Sequence, residues 1–257
     1  MKRIKKIVRK YIGTLVFATV MVAGHNAIMV CKDRDVSHVQ NFYEKYVKRP
    51  QDFFLASCAF TVFSPLMAVA ALLVKSKLGS PILFIQDRPG LNGKEFRLYK
   101  FRTMTSERDK NGNYLSDDIR LTKFGRILRA TSIDELPELI NIIKGEMALV
   151  GPRPLASIYL PFYTAAERHR HDVRPGLTGL AQVNGRNNLT WDEKIAFDLE
   201  YVNNISFTND MKIAFQTIGK VLSHEGIGQG ENSPVSLHIE RADWKITDKG
   251  AINPSEE

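Results

Sequence analysis

The sequence of 257 residues lacks several features that identify common protein classes. It has only two cysteines, Cys31 and Cys58, and their spacing matches no CxxC or zinc motif. A disulfide-stapled fold is therefore excluded, and we interpret both thiols as buried packing residues in a reducing compartment. The glycine motifs GxxxxGK[ST] and GxGxxG are also absent, so the usual P-loop and Rossmann phosphate-binding loops are excluded.

The sequence also lacks a zinc finger, a basic recognition helix and an aromatic RNA-binding motif, although its formal net charge is +8. Residues 1–50 carry 11 basic and 3 acidic side chains, residues 51–220 carry 22 and 18, and residues 221–257 carry 3 and 7. The basic excess therefore lies at the N-terminus, beside hydrophobic runs. This distribution favours an anionic membrane surface as a partner, and we expect no nucleic acid partner.

Residues 1–33 are predicted to form a hydrophobic, membrane-associated helix. Six basic residues precede an uncharged run from Tyr11 to Cys31, which is about long enough to span a bilayer. The run is longer than the apolar region of a usual signal peptide, and no clear A-x-A cleavage site follows it. Because His25 and Asn26 would need partners in lipid, the sequence leaves open whether this helix spans, dips into or lies on the membrane.

A second apolar run follows a polar connector at residues 34–50 and predicts a membrane helix over residues 51–78. Pro65 lies in its middle and cannot donate a hydrogen bond to the Thr61 carbonyl, so a kink is expected there, with the Ser64 hydroxyl satisfying the freed backbone. The pattern alone is compatible with a re-entrant helix, a straight span or a buried core helix. Basic residues at both ends are expected to hold them at one anionic surface: Lys48, Arg49, Lys75 and Lys77.

Residues 79–222 have the mixed composition of a soluble domain, and residues 223–257 form an acidic tail that we expect to be loosely attached. The expected fold class is α+β and mainly helical, with amphipathic surface helices and a small β-hairpin. The predicted strands are Pro81–Gln86 and Glu95–Thr103, and the predicted helices are Arg120–Ala130, Glu135–Lys144, Trp191–Asn203 and Asn209–Leu222. The last helix has an apolar stripe that is typical of core packing or, alternatively, of a helix lying on a membrane: Met211, Ala214, Phe215, Ile218, Val221 and Leu222.

The densest candidate chemistry is the adjacent pair Asp134 and Glu135. Ser132 and Glu135 match a capping box, whereas Pro137 fits a helix capped by Asp134. Either interpretation places both carboxylates at or before the first helical turn, where the macrodipole favours the ionised form. Adjacent ionised carboxylates need a cation, and Mg²⁺ bound by carboxylate, water and phosphate oxygens would supply it. The alternative is a well-capped helix with two surface acids.

Arginines and lysines recur in turn-like motifs rich in proline and glycine, which constrain the backbone as a phosphate-binding site requires. Strand alternation predicts that Lys100 and Arg102 share one face. A carboxylate nucleophile, a divalent ion and several basic side chains are the components needed for attack on a phosphoryl group. A surface ion pair is the alternative for each arginine taken alone.

The order of these motifs resembles the bacterial sugar transferase family, whose members are monotopic phosphoglycosyl transferases. The resemblance covers about residues 48–220. The motifs that carry it are Ser64-Pro65, Gln86-Asp87-Arg88-Pro89-Gly90, Lys100-Phe101-Arg102-Thr103, Asp134-Glu135-Leu136-Pro137, Gly151-Pro152-Arg153-Pro154, Arg174-Pro175-Gly176-Leu177-Thr178-Gly179 and Gln182-Val183-Asn184-Gly185-Arg186.

The resemblance implies transfer of a sugar 1-phosphate from a UDP-sugar to undecaprenyl phosphate, with release of UMP and initiation of surface glycan assembly. Asp134 would be the nucleophile of a covalent aspartyl-phosphosugar intermediate, and Glu135 would hold Mg²⁺. Arg153, Lys100, Arg102 and Arg129 would bind substrate phosphates. His169 and His171 are further candidates, although their i, i+2 spacing lacks a nearby third ligand for a metal.

The resemblance also implies that Ser64 and Pro65 kink a re-entrant helix, and that residues 79–222 form a catalytic domain facing the cytoplasm at the bacterial inner membrane. The expected partners are a UDP-sugar, polyprenyl phosphate and membrane lipids, and a homodimer is left open. The sugar is not determined, and galactose, glucose, N-acetylgalactosamine and a diacetamido sugar are all compatible with the motifs. A catalytically silent membrane scaffold of the same fold is the alternative function.

Overall fold

The structure is a computed structural model that describes residues 38–185, 189–223 and 235–254. The predicted N-terminal helix at residues 1–33, Cys31 and Arg186 lie outside the described residues. The α-helices are α1 Arg49–Leu78, α2 Asp117–Arg120, α3 Lys123–Ala130, α4 Glu138–Lys144, α5 Ala165–Arg168, α6 Leu180–Asn184, α7 Trp191–Asn203, α8 Phe207–Ser223 and α9 Leu237–Glu240. The strands are β1 Leu83–Pro89, β2 Glu95–Phe101, β3 Ala148–Val150, β4 Gly176–Thr178, β5 Lys245–Thr247 and β6 Gly250–Ile252.

The described part of the chain is mainly helical and has three two-stranded sheets, which agrees with the predicted α+β class. The β1–β2 pair is the predicted antiparallel hairpin, and Phe84 lies opposite Lys100. Its turn is a short 3₁₀ segment, Leu91–Gly93, in which Asn92 adopts a left-handed backbone with φ 55°. The hairpin places Lys100 near the end of β2.

The longest element is a continuous helix that begins with a π-helical segment, Tyr43–Lys48, and continues as α1. It therefore begins inside the predicted connector at residues 34–50. Over Tyr43–Leu78 it has 36 residues and is long and apolar enough to cross a membrane. The side chains of Val62 and Leu72 are 71% and 69% exposed, so the helix presents an apolar surface that a membrane can cover.

Helix α1 continues through Pro65, and the predicted re-entrant bend stays a prediction. The Ser64 hydroxyl donates to the Thr61 carbonyl at 2.8 Å, which confirms that this side chain satisfies the backbone oxygen freed by the proline. The prediction of a buried thiol is wrong for Cys58, because this residue lies on an exposed face of α1.

Both ends of α1 pack against the same soluble domain. Near its start, the buried Ala56 belongs to an apolar cluster with Leu98 of β2 and Ile142 of α4. Near its end, Val74 belongs to a second cluster with Phe101, the last residue of β2. The apolar middle of the helix lies between these two attachments.

Two of the basic residues at the start of α1 bind the protein. The Lys48 ammonium pairs with Asp210 on α8 and is buried. The Arg49 guanidinium donates to the carbonyls of Ile142 and Ile143, at 2.7 and 2.8 Å, at the C-terminal end of α4. The prediction that Lys48 and Arg49 hold this end at lipid is therefore wrong, because both cations bind acceptors of the domain.

The parallel pair β3–β4 brings two of the proline-rich motifs into contact. A Cβ atom at Gly151 would lie 2.5 Å from the carbonyl oxygen of Arg174, so the two backbones can approach only because residue 151 has no side chain. This crossing fixes the start of the loop that carries Arg153.

Helix α8 buries a different face from the predicted apolar stripe. Asp210 and Ile213 are buried, whereas Phe215 and Ile218 are 71% and 56% exposed. The core interpretation of the stripe is therefore wrong for Phe215 and Ile218. The helix packs through the neighbouring face, where the Thr217 hydroxyl hydrogen-bonds with another threonine on β4. An apolar surface is left open at α8.

The tail was predicted to be loosely attached, and this is wrong for residues 235–254. Leu237 is completely buried, and Arg241 is only 2% exposed. The Arg241 guanidinium donates to both carboxylate oxygens of Glu167 and to Asp192. The attachment depends on these few side chains, which the charge count of the tail does not single out.

Candidate active site

The adjacent carboxylates lie on a short 3₁₀ turn, Ile133–Glu135, between α3 and α4. The turn follows Ser132, which adopts a left-handed backbone with φ 54° and makes no side-chain cap. Both predicted caps are wrong: Ser132 and Glu135 form no capping box, and Pro137 rather than Asp134 immediately precedes α4. The carboxylates do precede the helix, as expected. Backbone strain of this kind is concentrated at functional sites.

Glu135 is held by two cations. Lys100 Nζ and an Arg153 guanidinium nitrogen donate to the same oxygen, Glu135 Oε1, at 2.9 and 2.7 Å. Burial alone would raise the pKa of Glu135, but the nearby charges of Arg153 and Lys100 hold that pKa below its usual range. Glu135 is therefore ionised at neutral pH, and its orientation is fixed.

Asp134 is in a different environment. It is 7% exposed, and its Oδ1 atom has no hydrogen-bond partner within the described residues. Burial and then the charge of Glu135 raise the pKa of Asp134 to about 6, against the opposing charges of Lys100, Arg129 and Arg153. The helix dipole was expected to lower the pKa of Asp134, and burial outweighs that effect. At neutral pH this carboxylate is ionised, and its Oδ1 has no hydrogen-bond partner within the described residues. These are the properties of a nucleophile.

Not all of the four predicted phosphate-binding residues lie at the Asp134–Glu135 pair. Lys100 and Arg153 both contact Glu135. The charge of Arg129 lowers the pKa of Asp134, and its Nε donates to the Thr103 hydroxyl at 3.1 Å.

Arg102 points elsewhere. Its guanidinium donates to the Ser80 carbonyl at 2.8 Å, just beyond the end of α1. The structure thus brings Arg153, Lys100 and Arg129 to the carboxylates, whereas Arg102 joins the residues that follow β2 to those that follow α1.

Glu138 is a third carboxylate of the site that sequence reasoning missed. It is 2% exposed, and its Oε1 lies 3.0 Å from Lys100 Nζ. Burial raises the pKa of Glu138, and the charge of Glu135 raises it further despite the opposing charge of Lys100. The sequence could have indicated this residue through its spacing. Glu138 lies three residues after Glu135 and belongs to the first turn of α4.

Arg170 was also missed, although it holds the loop that carries Arg153. Its buried guanidinium donates to the Arg153 carbonyl at 2.8 Å and to Asp198 at 2.7 Å. The neighbouring His171 is buried, and burial together with Arg170 lowers its pKa to about 3, so this imidazole is neutral.

His169, the other histidine candidate, hydrogen-bonds with Asp172 at 2.7 Å. Neither histidine contacts the carboxylates through any hydrogen bond of the described residues.

An open cavity of about 240 Å³ is lined by Glu138 and by the two cations that hold Glu135. One part of its wall is charged and contains Arg88, Lys100, Glu138 and Arg153. Another part is aromatic and contains Tyr159 and Trp191. Cations can bind phosphate oxygens, and aromatic rings can stack on a nucleobase. The cavity therefore has the chemistry to bind a nucleotide.

The carboxylates also fit the expected magnesium ion. Asp134 Oδ1 is a buried acceptor without a partner within the described residues, and Glu135 is ionised beside it. Mg²⁺ is commonly held by one or two carboxylates together with substrate phosphates and water. The donor set at this turn is of that type.

Comparison with known proteins gives consistent matches. A family model described as "Bacterial sugar transferase" matches residues 43–224. "Uncharacterized sugar transferase EpsL" of Bacillus subtilis (strain 168) is 54% identical over 176 residues, which cover 68% of this chain and 85% of that protein.

Two further relatives have names that state a reaction. A "UDP-glucose:undecaprenyl-phosphate glucose-1-phosphate transferase" of Caulobacter vibrioides is 41% identical over 186 residues, covering 68% of this chain and 70% of that protein. A "UDP-N-acetylgalactosamine-undecaprenyl-phosphate N-acetylgalactosaminephosphotransferase" of Aeromonas hydrophila is 37% identical over 193 residues, covering 70% of this chain but only 45% of that longer protein.

Proposed function

Because this chain belongs to the bacterial sugar transferase family and is a phosphoglycosyl transferase, we propose that it transfers a sugar 1-phosphate from a UDP-sugar to undecaprenyl phosphate and releases UMP. The observation that carries this proposal is the buried Asp134 carboxylate, whose Oδ1 has no hydrogen-bond partner in the described part of the chain. Beside it, Glu135 is fixed by Lys100 and Arg153. The product would be the first lipid-linked intermediate of a surface glycan.

The reaction proceeds in two displacements. In the first, a carboxylate oxygen of Asp134 attacks the phosphorus that bears the sugar. A bond forms between that oxygen and phosphorus, and the bond from the same phosphorus to the bridging oxygen breaks, so UMP leaves with the electron pair. In the second, a phosphate oxygen of undecaprenyl phosphate attacks the phosphosugar and releases the Asp134 carboxylate. The sequence of steps predicts ping-pong kinetics.

The basic residues bind and orient the phosphates. Lys100 and Arg153 lie where they can exchange part of their contact with Glu135 for oxygens of the diphosphate, and both neutralise charge on the reacting group. Arg129 adds positive charge beside Asp134. A magnesium ion held by Glu135 would supply further neutralisation of the diphosphate when bound.

Helix α1 is proposed to be re-entrant. Ala56 near its start and Val74 near its end both pack on the soluble domain, which supports placing the two ends on the same side of a membrane. A helix that spans the bilayer would separate them. The exposed apolar middle would then enter the bacterial inner membrane, with the catalytic domain in the cytoplasm.

Single cysteines placed at Gln51 and Lys75, in a protein whose native thiols have been replaced, test this topology. Both should react with a membrane-impermeant maleimide from the cytoplasmic face of inverted vesicles. Labelling from opposite faces would exclude the re-entrant arrangement.

The function is tested by measuring UMP release from a panel of UDP-sugars with undecaprenyl phosphate and Mg²⁺. One or more sugars should support turnover, and the active one identifies the donor. The Asp134→Asn variant should lose activity by about 10⁴-fold or more, because the nucleophile is removed. Asp117→Asn changes an exposed aspartate and is the matched control.

The covalent step needs its own measurement. Wild-type protein incubated with the active UDP-sugar alone should gain the mass of one phosphosugar on the peptide that contains Asp134. Turnover by Asp134→Asn at wild-type rate, or the lack of any adduct, would contradict the covalent mechanism. No UMP release with any sugar would favour the catalytically silent scaffold.

A further inference from the structure

The aromatic wall of the cavity is supported by a segment that lies outside the matched family region. That region ends at residue 224, whereas residues 235–254 form a separate C-terminal segment containing α9, β5 and β6. We propose that this C-terminal segment is part of the donor site and sets the affinity of the enzyme for the UDP-sugar. The inference rests on the proposed function and adds the C-terminal segment to the donor site of that function.

The C-terminal segment contacts both aromatic residues of the wall. The Trp191 indole nitrogen donates to the Val235 carbonyl at 2.6 Å. The His238 ring stacks on the Tyr159 ring, with centroids 5.8 Å apart and an interplanar angle of 25°. Tyr159 and Trp191 meet edge to face at 5.2 Å. The two rings that line the cavity are therefore held between the domain and this segment.

The C-terminal segment is itself firmly anchored. Leu237 is completely buried in a cluster that includes Trp191. Arg241, at 2% exposed, binds Glu167 through two hydrogen bonds of 2.6 and 2.7 Å and also donates to the Phe162 carbonyl at 2.9 Å. A paired guanidinium and carboxylate hold their partners in a defined geometry. The C-terminal segment can therefore hold the Tyr159 and Trp191 rings in a more defined position than an exposed loop would.

The same cavity connects this wall to the two cations that hold Glu135. Lys100, Glu138 and Arg153 line it together with Tyr159 and Trp191. A donor whose diphosphate lies at the cations would place its nucleoside or its sugar against the rings. His238 and Arg241 act through those rings and are positioning residues, since the cavity wall contains neither of them.

The test separates donor affinity from chemistry. His238→Ala should raise the KM for the UDP-sugar by about fivefold, the order of magnitude expected from losing one ring contact. The kcat and the KM for undecaprenyl phosphate should stay within about twofold of the wild-type values, since neither the nucleophile nor its cations are changed. His238→Phe retains an aromatic ring and should restore the donor KM. Lys249→Ala, on an exposed residue of the same segment, should change neither constant.

Arg241→Gln provides a second measurement, because it weakens the anchor of the C-terminal segment without removing either stacked ring. It should also raise the donor KM more than the acceptor KM. A wild-type donor KM in both variants, or a parallel rise in both KM values, would overturn the inference.

Equilibrium binding of UMP, measured by calorimetry, separates this inference from the proposed function. If the wild type turns over no UDP-sugar, the proposed function fails. The inference is then decided by whether His238→Ala weakens UMP binding relative to the wild type.

Discussion

Two buried charge clusters of this protein each contain a lysine and an aspartate, but they differ in how fully their polar atoms are hydrogen-bonded. In the first, Asp210 accepts hydrogen bonds from the hydroxyls of Tyr43 and Tyr201, each at 2.8 Å, and pairs with Lys48. We call these four residues the helix-anchor network. It attaches the long helix to α8. Each oxygen of the Asp210 carboxylate has a partner, as is normal for a buried ion.

The second cluster surrounds the reacting groups and consists of Lys100, Asp134, Glu135, Glu138 and Arg153. We call it the carboxylate cluster. It contains three carboxylates, and Asp134 Oδ1 has no partner among the described residues. Burying an ionised group without enough hydrogen bonds or counter-charges is unfavourable. This arrangement therefore lowers the free energy of unfolding. The comparison indicates that the helix-anchor network serves stability and the carboxylate cluster serves reactivity.

The largest expected effect is an opposite response to the same substitution. Asp210→Asn should lower the free energy of unfolding by about 3 kcal/mol, because it removes the nearer counter-charge of the buried Lys48 and leaves only Asp52, at 3.8 Å. Asp134→Asn should raise it by about 3 kcal/mol at pH 8, because burial raises the pKa of Asp134 to about 6 from a reference of 3.8. Chemical denaturation in detergent micelles measures both values.

The sign of the Asp134 effect follows from linkage. The folded-state pKa is raised, so the ionised carboxylate destabilises the fold above about pH 6, and this penalty disappears as the pH falls towards 4. The advantage of Asp134→Asn should therefore vanish near pH 4. Equal destabilisation by the two variants at pH 8 would remove the distinction between the clusters.

The next expected effect is a loss of catalytic activity and not a loss of folding stability. Arg153→Gln should lower kcat/KM by about 10²-fold, since it removes a cation from the phosphate site, and Glu135 retains Lys100 as a partner. Arg97→Gln removes an exposed arginine from β2 and is the matched control. Steady-state UMP release measures the loss. A fall of similar size in the control would show that net charge, and not position, is responsible.

A smaller effect is expected in the pH dependence. The attacking Asp134 must be ionised, so kcat/KM should rise with pH and level off above about pH 6. Because the charge of Arg153 lowers the pKa of Asp134, the acid limb of the residual activity of Arg153→Gln should move to higher pH. Profiles recorded between pH 5 and pH 8.5 at constant ionic strength test this. An unmoved limb would assign it to another group.

The smallest effect is expected at Ser64, which belongs to neither cluster. Ser64→Ala removes the hydrogen bond to the Thr61 carbonyl and should cost about 1 kcal/mol or less, because only one neutral hydrogen bond is lost. Ser76→Ala removes a similar bond to Leu73, away from the proline, and is the control. Thermal unfolding in micelles compares them. A larger loss in the control would contradict a special role for Ser64.

Local patterns predicted the elements that depend on local sequence. Helix α7 has its predicted bounds, Trp191–Asn203, since a capping box between Thr190 and Glu193 marks its start. The β1–β2 hairpin was predicted from its turn residues. The caps predicted around Asp134 were wrong, because the Glu135 side chain is bound by Lys100, which lies 35 residues away in the sequence. A short-range motif is overridden where a distant charge competes for the same side chain.

The amino-acid sequence by itself determined the apolar length of the membrane helix, the reactive residue types and the motif order that marks the family. Tertiary structure decided which of those groups act together. It turned Arg102 away from the carboxylates, left Asp134 without a partner within the described residues, and packed the C-terminal segment under the aromatic wall. The Arg241–Glu167 pair joins residues 74 positions apart. Contacts of that range depend on how elements pack, and no local pattern encodes the packing.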